Sequence, residues 1–244
     1  MLLPLDWIEE RTGLVGGVKY FLFRNVPHDV NWMQTLGAAT LTAFLVQATT
    51  GVFLAMYYKP DPENAYSSIQ NITHDVTLGW LVRGMHKWGA SVFIILMFLH
   101  MFRVFLFGAY KYPRELNWIV GVLLLVLGML EGFTGYLLPW DQTAYWATAV
   151  GINLNATGPF VGPFLGDFLQ GGSQIGPDTI ARFYSLPGGI IALIGLHLYL
   201  VVRLGVTSPP WSKTAAGRLP EAAGGGGGQE GLIRAPRTES EQAE

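Results

Sequence analysis

Two histidines lie within one apolar stretch of the chain, at a spacing that suits metal binding. His86 and His100 are fourteen residues apart in the run from Trp80 to Phe107. Fourteen residues is close to four helical turns, so both imidazoles leave the same helix face, about 21 Å apart along the axis. Because a histidine inside a membrane helix is costly, two in register indicate ligands for two stacked metal cofactors.

An arginine lies three residues to the outside of each histidine. Arg83 precedes His86 and Arg103 follows His100. Each guanidinium could pair with a cofactor carboxylate near a membrane surface. A polar contact between helices is the alternative for one intramembrane histidine. It explains a second histidine on the same face less well, so the sequence favours cofactor binding.

Glycines on two other apolar segments repeat the same interval. Gly37 and Gly51 are fourteen apart, and so are Gly121 and Gly135. Small residues allow another helix or a flat ring to approach a backbone closely. Either pair alone indicates ordinary helix packing. Both together, at the histidine interval, fit two planar macrocycles stacked across a bilayer.

The composition is that of an integral membrane protein. Of the 244 residues, 50% are hydrophobic and 13% are charged, against about a quarter charged in soluble domains. The net charge of -2 gives no reason to propose nucleic acid as a partner. The absence of cysteine excludes disulfides, thiolate metal sites and covalent haem attachment. Any iron cofactor must therefore use histidine or oxygen ligands.

The hydropathy pattern predicts an all-α membrane protein with four transmembrane helices. The crossings are expected at about 32–58, 79–107, 116–138 and 180–204. Residues 1–31 alternate apolar and charged positions, which predicts an amphipathic surface helix. A polar connection is expected at 60–78 and short surface helices at 139–180. Residues 211–244, with five consecutive glycines, are predicted to form a disordered tail.

Lysine and arginine are distributed unevenly between the connections. They occur before the first crossing, between the second and third, and after the fourth, but not between Glu115 and Ala181. The excess of positive charge on cytoplasmic segments predicts that both termini are cytoplasmic.

Four longer strings resemble the cytochrome b family of quinol-oxidising complexes, in its short four-helix form. They are WLVRGMHKWGAS, HMFRVFLFGAYKYPREL, GFTGYLLPWDQTAYW and RFYSL. The resemblance covers about residues 1–210. It implies a bundle that holds two b-type haems and passes electrons inward from a quinol oxidised on the outer side.

The resemblance also implies roles for individual residues. His86 matches a ligand of the outer haem, and His100 one of the inner haem, with His197 as its partner. Arg83 and Arg103 match family arginines near the haems. Thr35 stands where the short form carries the cysteine that tethers an extra haem, so no covalent third haem is expected.

The fourth segment departs from the family pattern. The family continues RFYSL with a histidine, the second outer-haem ligand, whereas Pro187 follows here. Fourteen or fifteen residues before His197 lie Phe183 and Arg182, and no histidine occurs between 101 and 196. About five residues are missing. The outer haem is then five-coordinate on His86, bound by a substitute such as Tyr184 or Arg182, or absent.

Glu131 interrupts the apolar third crossing one turn before Gly135. A carboxylate there could carry protons from a quinol, or offset Arg83 or Arg182. Equally, it could be a protonated or snorkelling side chain.

The resemblance implies partners as well as cofactors. A separate subunit would supply the later cytochrome b helices, with a Rieske iron–sulfur protein and a c-type cytochrome in a dimeric complex of a bacterial inner membrane. The expected function is electron transfer through b haems within a quinol:cytochrome c or plastocyanin-type oxidoreductase that moves protons. The alternative is a single-haem membrane anchor that relays electrons between quinone and a peripheral oxidoreductase.

Overall fold

The computed structural model describes residues 9–10, 12, 15–16 and 31–207. Apart from those few positions, the predicted surface segment at 1–31 and the predicted tail at 211–244 lie outside the described residues. Every regular element in the described range is a helix. The spans long and apolar enough to cross a membrane are Trp32–Ala55, Gly79–Leu106, Glu115–Leu137 and Pro177–Leu204. The predicted all-α, four-span fold is confirmed.

The first span begins with a 3₁₀ turn, Trp32–Thr35, and continues as helix α1, Leu36–Ala55. Asn31 caps the turn, since its side chain accepts a hydrogen bond from the Met33 amide at 3.0 Å. The threonine hydroxyls of α1 donate to carbonyls four residues earlier, at Thr40, Thr42, Thr49 and Thr50. These bonds satisfy polar groups that lipid could not, so a threonine-rich helix can still span a bilayer.

A short helix, α2, Ala65–His74, occupies the connection that was predicted only as polar. Helix α3, Gly79–Leu106, follows it and packs along α1. Its 28 residues correspond to about 42 Å, enough to cross the whole bilayer.

The third span is helix α4, Glu115–Leu137, which contacts α3. Two short helices come next, α5, Gln142–Ala156, and α6, Gly162–Gln170. The Asp141 carboxylate caps α5 by accepting from the Ala144 amide at 2.8 Å. Gly171 ends α6 in the left-handed region at φ 82°, a conformation that favours glycine.

The fourth span is interrupted. Helix α7, Pro177–Ser185, is followed by a 3₁₀ turn, Leu186–Gly189, and then by helix α8, Ile190–Leu204. Pro187 has no N–H to donate, which explains why regular α-helical bonding stops at the turn. The 15 residues of α8 reach only about 22 Å, against about 30 Å of bilayer core. Helix α7 must therefore supply the rest of the crossing.

The buried side chains form three clusters. One, around Leu137, Leu169 and Phe183, holds α4, α6 and α7 together. Another joins the end of α1 to α2 and α7 through Tyr58, Ile72 and Ile180. The third lies between α4 and α8 and comprises Val120, Leu124 and Ile190. Apolar side chains elsewhere on the spans face outward, as lipid contact requires, including Leu45, Ile95, Val126 and Ile191.

Candidate functional site

Helix α1 places one glycine opposite each histidine of α3. A Cβ added at Gly37 would lie 3.1 Å from His100 Cε1, and one added at Gly51 would lie 3.3 Å from His86 Cε1. Both separations are tighter than ordinary van der Waals contact. The two glycines therefore allow α1 to approach the imidazole rings at both levels of α3.

Helices α4 and α8 repeat this arrangement at one level. A Cβ added at Gly121 would lie 3.4 Å from His197 Cε1. The His197 ring faces His100 with a centroid separation of 6.5 Å and an interplanar angle of 88°. That separation leaves room for one metal atom between the rings at bonds of about 2 Å, as in other metal–imidazole sites. We call His100 and His197, with Gly37 and Gly121, the paired site.

A cavity of about 390 Å³ surrounds the paired site. Its lining is mainly apolar, with a few polar groups. Arg103 lies at the cavity, is 6% exposed, and has two buried nitrogens, Nε and Nη2, without hydrogen-bond partners. Its guanidinium also contacts the Phe107 ring, at 4.8 Å from the centroid. A buried cation with free donors suits an anionic group such as a cofactor carboxylate.

His86 forms a second site at the other end of α3, which we call the single-histidine site. The Thr50 hydroxyl lies 2.8 Å from His86 Nδ1 and donates its own proton to the Val46 carbonyl at 2.6 Å. With its proton directed to Val46, the hydroxyl accepts from Nδ1–H in the tautomer that leaves the lone pair of Nε2 free. Gln47 holds the same turn by donating to the His86 carbonyl at 3.0 Å.

Gly135 differs from the other three glycines of the fourteen-residue pattern. No described atom beyond its own stretch of helix lies within 4 Å of a Cβ added there. Phe183, at the expected histidine level of the fourth span, is 1% exposed and packs in the cluster with Leu137 and Leu169. Among the described residues, no imidazole is therefore brought to face Gly135.

Other residues singled out from the sequence lie as follows. Arg83 donates to the Thr73 hydroxyl of α2 at 3.3 Å. Arg182 donates to the carbonyls of Phe168 and Gly171, at the end of α6. Tyr184 packs on Tyr58, with ring centroids 5.6 Å apart.

Glu131 is half-buried on α4, and its Oε2 atom is buried without a hydrogen-bond partner. It lies one turn before Gly135, on the side of α4 that turns inward. A carboxyl group so placed is costly when charged, since no described group pairs with this oxygen.

The donor set of the paired site fits a haem. Within residues 31–207 and the few described positions before them, no group of three or more His, Cys, Asp or Glu side chains could hold a metal ion. Two imidazoles alone therefore need further ligands from a cofactor, and a planar macrocycle supplies four. His197 Nδ1 is buried without a well-formed hydrogen bond, beside the Asn117 backbone. The glycines, the cavity and Arg103 accommodate such a ring and its carboxylates.

A four-span helical bundle with inward-facing imidazoles and glycine-lined ring sites defines the class of membrane haem proteins. The family model for Cytochrome b/b6/petB matches residues 22–205. The chain therefore belongs to the cytochrome b family, and the resemblance found in the sequence is confirmed.

Individual relatives agree with this assignment. Cytochrome b6 of Synechococcus elongatus is 41% identical over 209 residues, which are 84% of this chain and 97% of the relative. Cytochrome b6 of Heliomicrobium gestii is 43% identical over 212 residues, 84% of this chain and 100% of the relative. A solved structure described as hyperthermophilic respiratory Complex III has a TM-score of 0.73 and 32% identity. It matches 84% of this chain, and the chain spans 56% of that protein's length.

Sequence reasoning did not identify Thr50 or Gln47 as groups that hold His86. Both face α3 only because of the way α1 and α3 pack side by side. The available signal was that Thr50 precedes Gly51, which the fourteen-residue interval had already assigned to the His86 level.

Proposed function

We propose that this chain is the cytochrome b subunit of a membrane complex that oxidises quinol, and that it carries electrons across the bilayer through two b haems. The observation that carries the proposal is the arrangement along α3, where His100 faces His197 and His86 lies about 21 Å away on the same helix face. Haem supplies the one-electron chemistry when bound. The protein binds, orients and shields it.

At the paired site, His100 and His197 would both bind the iron of one haem. Gly37 and Gly121 would allow the ring to lie close to the flanking backbones, and Arg103 would pair with a haem carboxylate. The buried, unpartnered guanidinium nitrogens of Arg103 support this role. A charge buried without a partner is costly, so binding of the carboxylate would stabilise the bundle.

At the single-histidine site, His86 would bind the iron of the second haem. Thr50 holds its Nδ1 so that Nε2 faces the site, which is the usual way in which an outer group orients a metal-binding histidine. Arg83 and the two glycines Gly51 and Gly135 complete the site. This haem would lie near the N-terminal end of α3.

The complex requires other chains. We propose that a separate subunit supplies further cytochrome b helices in the assembled complex. A Rieske iron–sulfur protein and a c-type cytochrome are further proposed partners, and two copies of the assembly form a dimer. We also propose a bacterial inner-membrane location, and the uneven distribution of Lys and Arg supports a topology with both termini in the cytoplasm.

Substitution of the paired-site histidines tests the assignment. We expect His100→Ala and His197→Ala each to remove or alter the same b-haem component of a redox-titrated optical spectrum, because both rings would bind one iron. His74→Ala serves as the control, since this exposed residue bonds Gln70 on α2 at 3.1 Å. Loss of two different components, or an unchanged spectrum in either variant, contradicts the pairing.

A second candidate function is a membrane anchor that relays electrons through one haem to a peripheral oxidoreductase. The missing second imidazole opposite Gly135 favours it. The two functions differ in the number of haems per chain, so His86→Ala distinguishes them. It removes one of two components in a quinol-oxidising cytochrome b and leaves the spectrum unchanged in a single-haem anchor.

A further inference from the structure

Three of the four glycines in the fourteen-residue pattern lie against a histidine ring, and the fourth, Gly135, does not. Cβ atoms added at Gly37, Gly51 and Gly121 would lie 3.1–3.4 Å from an imidazole Cε1, whereas one added at Gly135 meets no described atom within 4 Å. The Gly135 side of α4 is therefore exposed and has no described side chain against it, whereas His197 lies against Gly121 at the paired site.

The interrupted fourth span explains why this side is open. Gly121 is level with His197. Fourteen residues further along α4 lies Gly135, and fourteen residues before His197, on the other side of the 3₁₀ turn, lies Phe183. Phe183 is packed into the cluster with Leu137 and Leu169 instead. The 3₁₀ turn between α7 and α8 contributes no buried residue, and Cβ atoms added at its two glycines, Gly188 and Gly189, would meet nothing within 4 Å.

The side chains that could substitute for an imidazole have other partners. Tyr184 lies against the Tyr58 ring, in the cluster with Ile180. Arg182 binds two carbonyls at the end of α6. The remaining histidine of the described part of the chain, His74, is bonded to Gln70 on α2. None of these contacts directs a nitrogen or oxygen donor to Gly135.

We infer that, of the described residues, His86 alone binds the iron of a haem at the single-histidine site, and that this iron also binds a small external ligand on the side that faces Gly135. This inference rests on the proposed function. The ligands are of two chemical classes: a neutral diatomic that accepts electron density from ferrous iron, and a nitrogen heterocycle that donates to ferric iron. Binding is simple addition, in which no bond breaks and no electron is transferred.

Carbon monoxide and imidazole are the probes for the test, used on the purified full chain with its haems and on its complex. With dithionite-reduced protein, we expect carbon monoxide to shift the spectrum of one of two b components and leave the other unchanged. With oxidised protein, we expect a high-spin electron paramagnetic resonance signal, about half of the total haem, that imidazole converts to low spin.

Two variants assign the ligand-binding component. His86→Ala should remove it, and His100→Ala should keep it while removing the other component. Two haems per chain, both low-spin and both unreactive with carbon monoxide, would overturn the inference and leave the proposed function standing. A single haem that survives in His86→Ala would overturn both.

Discussion

The Thr50 hydroxyl decides which nitrogen of His86 faces the candidate site. Its proton goes to the Val46 carbonyl, so it accepts from His86 Nδ1 and leaves Nε2 as the free donor. Loss of a group that orients a metal-binding imidazole in this way typically lowers metal affinity by about 10–100-fold. Among the described residues no second imidazole reaches the single-histidine site, so we expect this hydrogen bond to matter more there than it would in a bis-histidine site.

Replacement of Thr50 by valine should weaken haem binding at the single-histidine site by about tenfold or more, because the imidazole loses its orienting partner while the side-chain shape is kept. The measurement is haem retention by component after gel filtration in detergent. Thr49→Val is the matched control, since that exposed threonine bonds only the Leu45 carbonyl of its own helix at 2.9 Å. Thr50→Ser should restore binding. Equal retention in both valine variants would show that His86 is held by other groups.

The fourth span shows most clearly what the sequence could and could not predict at the scale of elements. The missing residues after RFYSL were evident, yet the crossing was predicted as one segment over about 180–204, whereas the structure begins it at Pro177 and interrupts it with a 3₁₀ turn around Pro187. The placement of α7 did not follow. It depends on Arg182 binding the end of α6 and on Ile180 and Phe183 entering two different clusters. Such contacts between distant segments leave no periodic pattern in the sequence.

Tyr58 fastens the end of α1 to the end of α4. Its hydroxyl donates to the Leu138 carbonyl at 2.6 Å, across 80 residues of sequence. Burial raises the pKa of Tyr58, and the charge of Asp61 and the nearby Tyr184 raise it further. The phenol therefore stays protonated and keeps donating well above neutral pH. Because the folded-state pKa is the higher one, this contribution to stability is present at neutral pH and is lost as pH rises above about 10.

Substitution of Tyr58 by phenylalanine should lower the free energy of unfolding by about 1 kcal/mol, the usual cost of one buried hydrogen bond. It should also reduce the loss of stability above about pH 10, because the titrating group is gone. Thermal unfolding in detergent at neutral and alkaline pH measures both effects. Tyr66→Phe is the control, since Tyr66 is 51% exposed. Identical melting curves for the two variants would exclude a stabilising role for the Leu138 bond.

At the scale of the whole molecule, the bundle uses α3 as a common support for two sites that differ in their ligands. The fourteen-residue intervals predicted the two levels and the glycine positions, because helical periodicity is a local property. The facing of His100 and His197 was expected only through family resemblance, since the two rings belong to separate spans. The lack of a facing residue at Gly135 could be suspected from the missing histidine. Whether another side chain takes that place depends on where α7 and the 3₁₀ turn lie, which the sequence pattern does not give.

The number of haems per chain is the most direct test of whether this chain carries electrons through two b haems. The measurement is the ratio of extracted haem to protein in the purified complex, combined with an optical redox titration. We predict two b haems per chain that titrate as two components of different potential, because one iron has two imidazole ligands and the other has one from the protein. One haem per chain, titrating as a single component and unaffected by His86→Ala, would contradict the account.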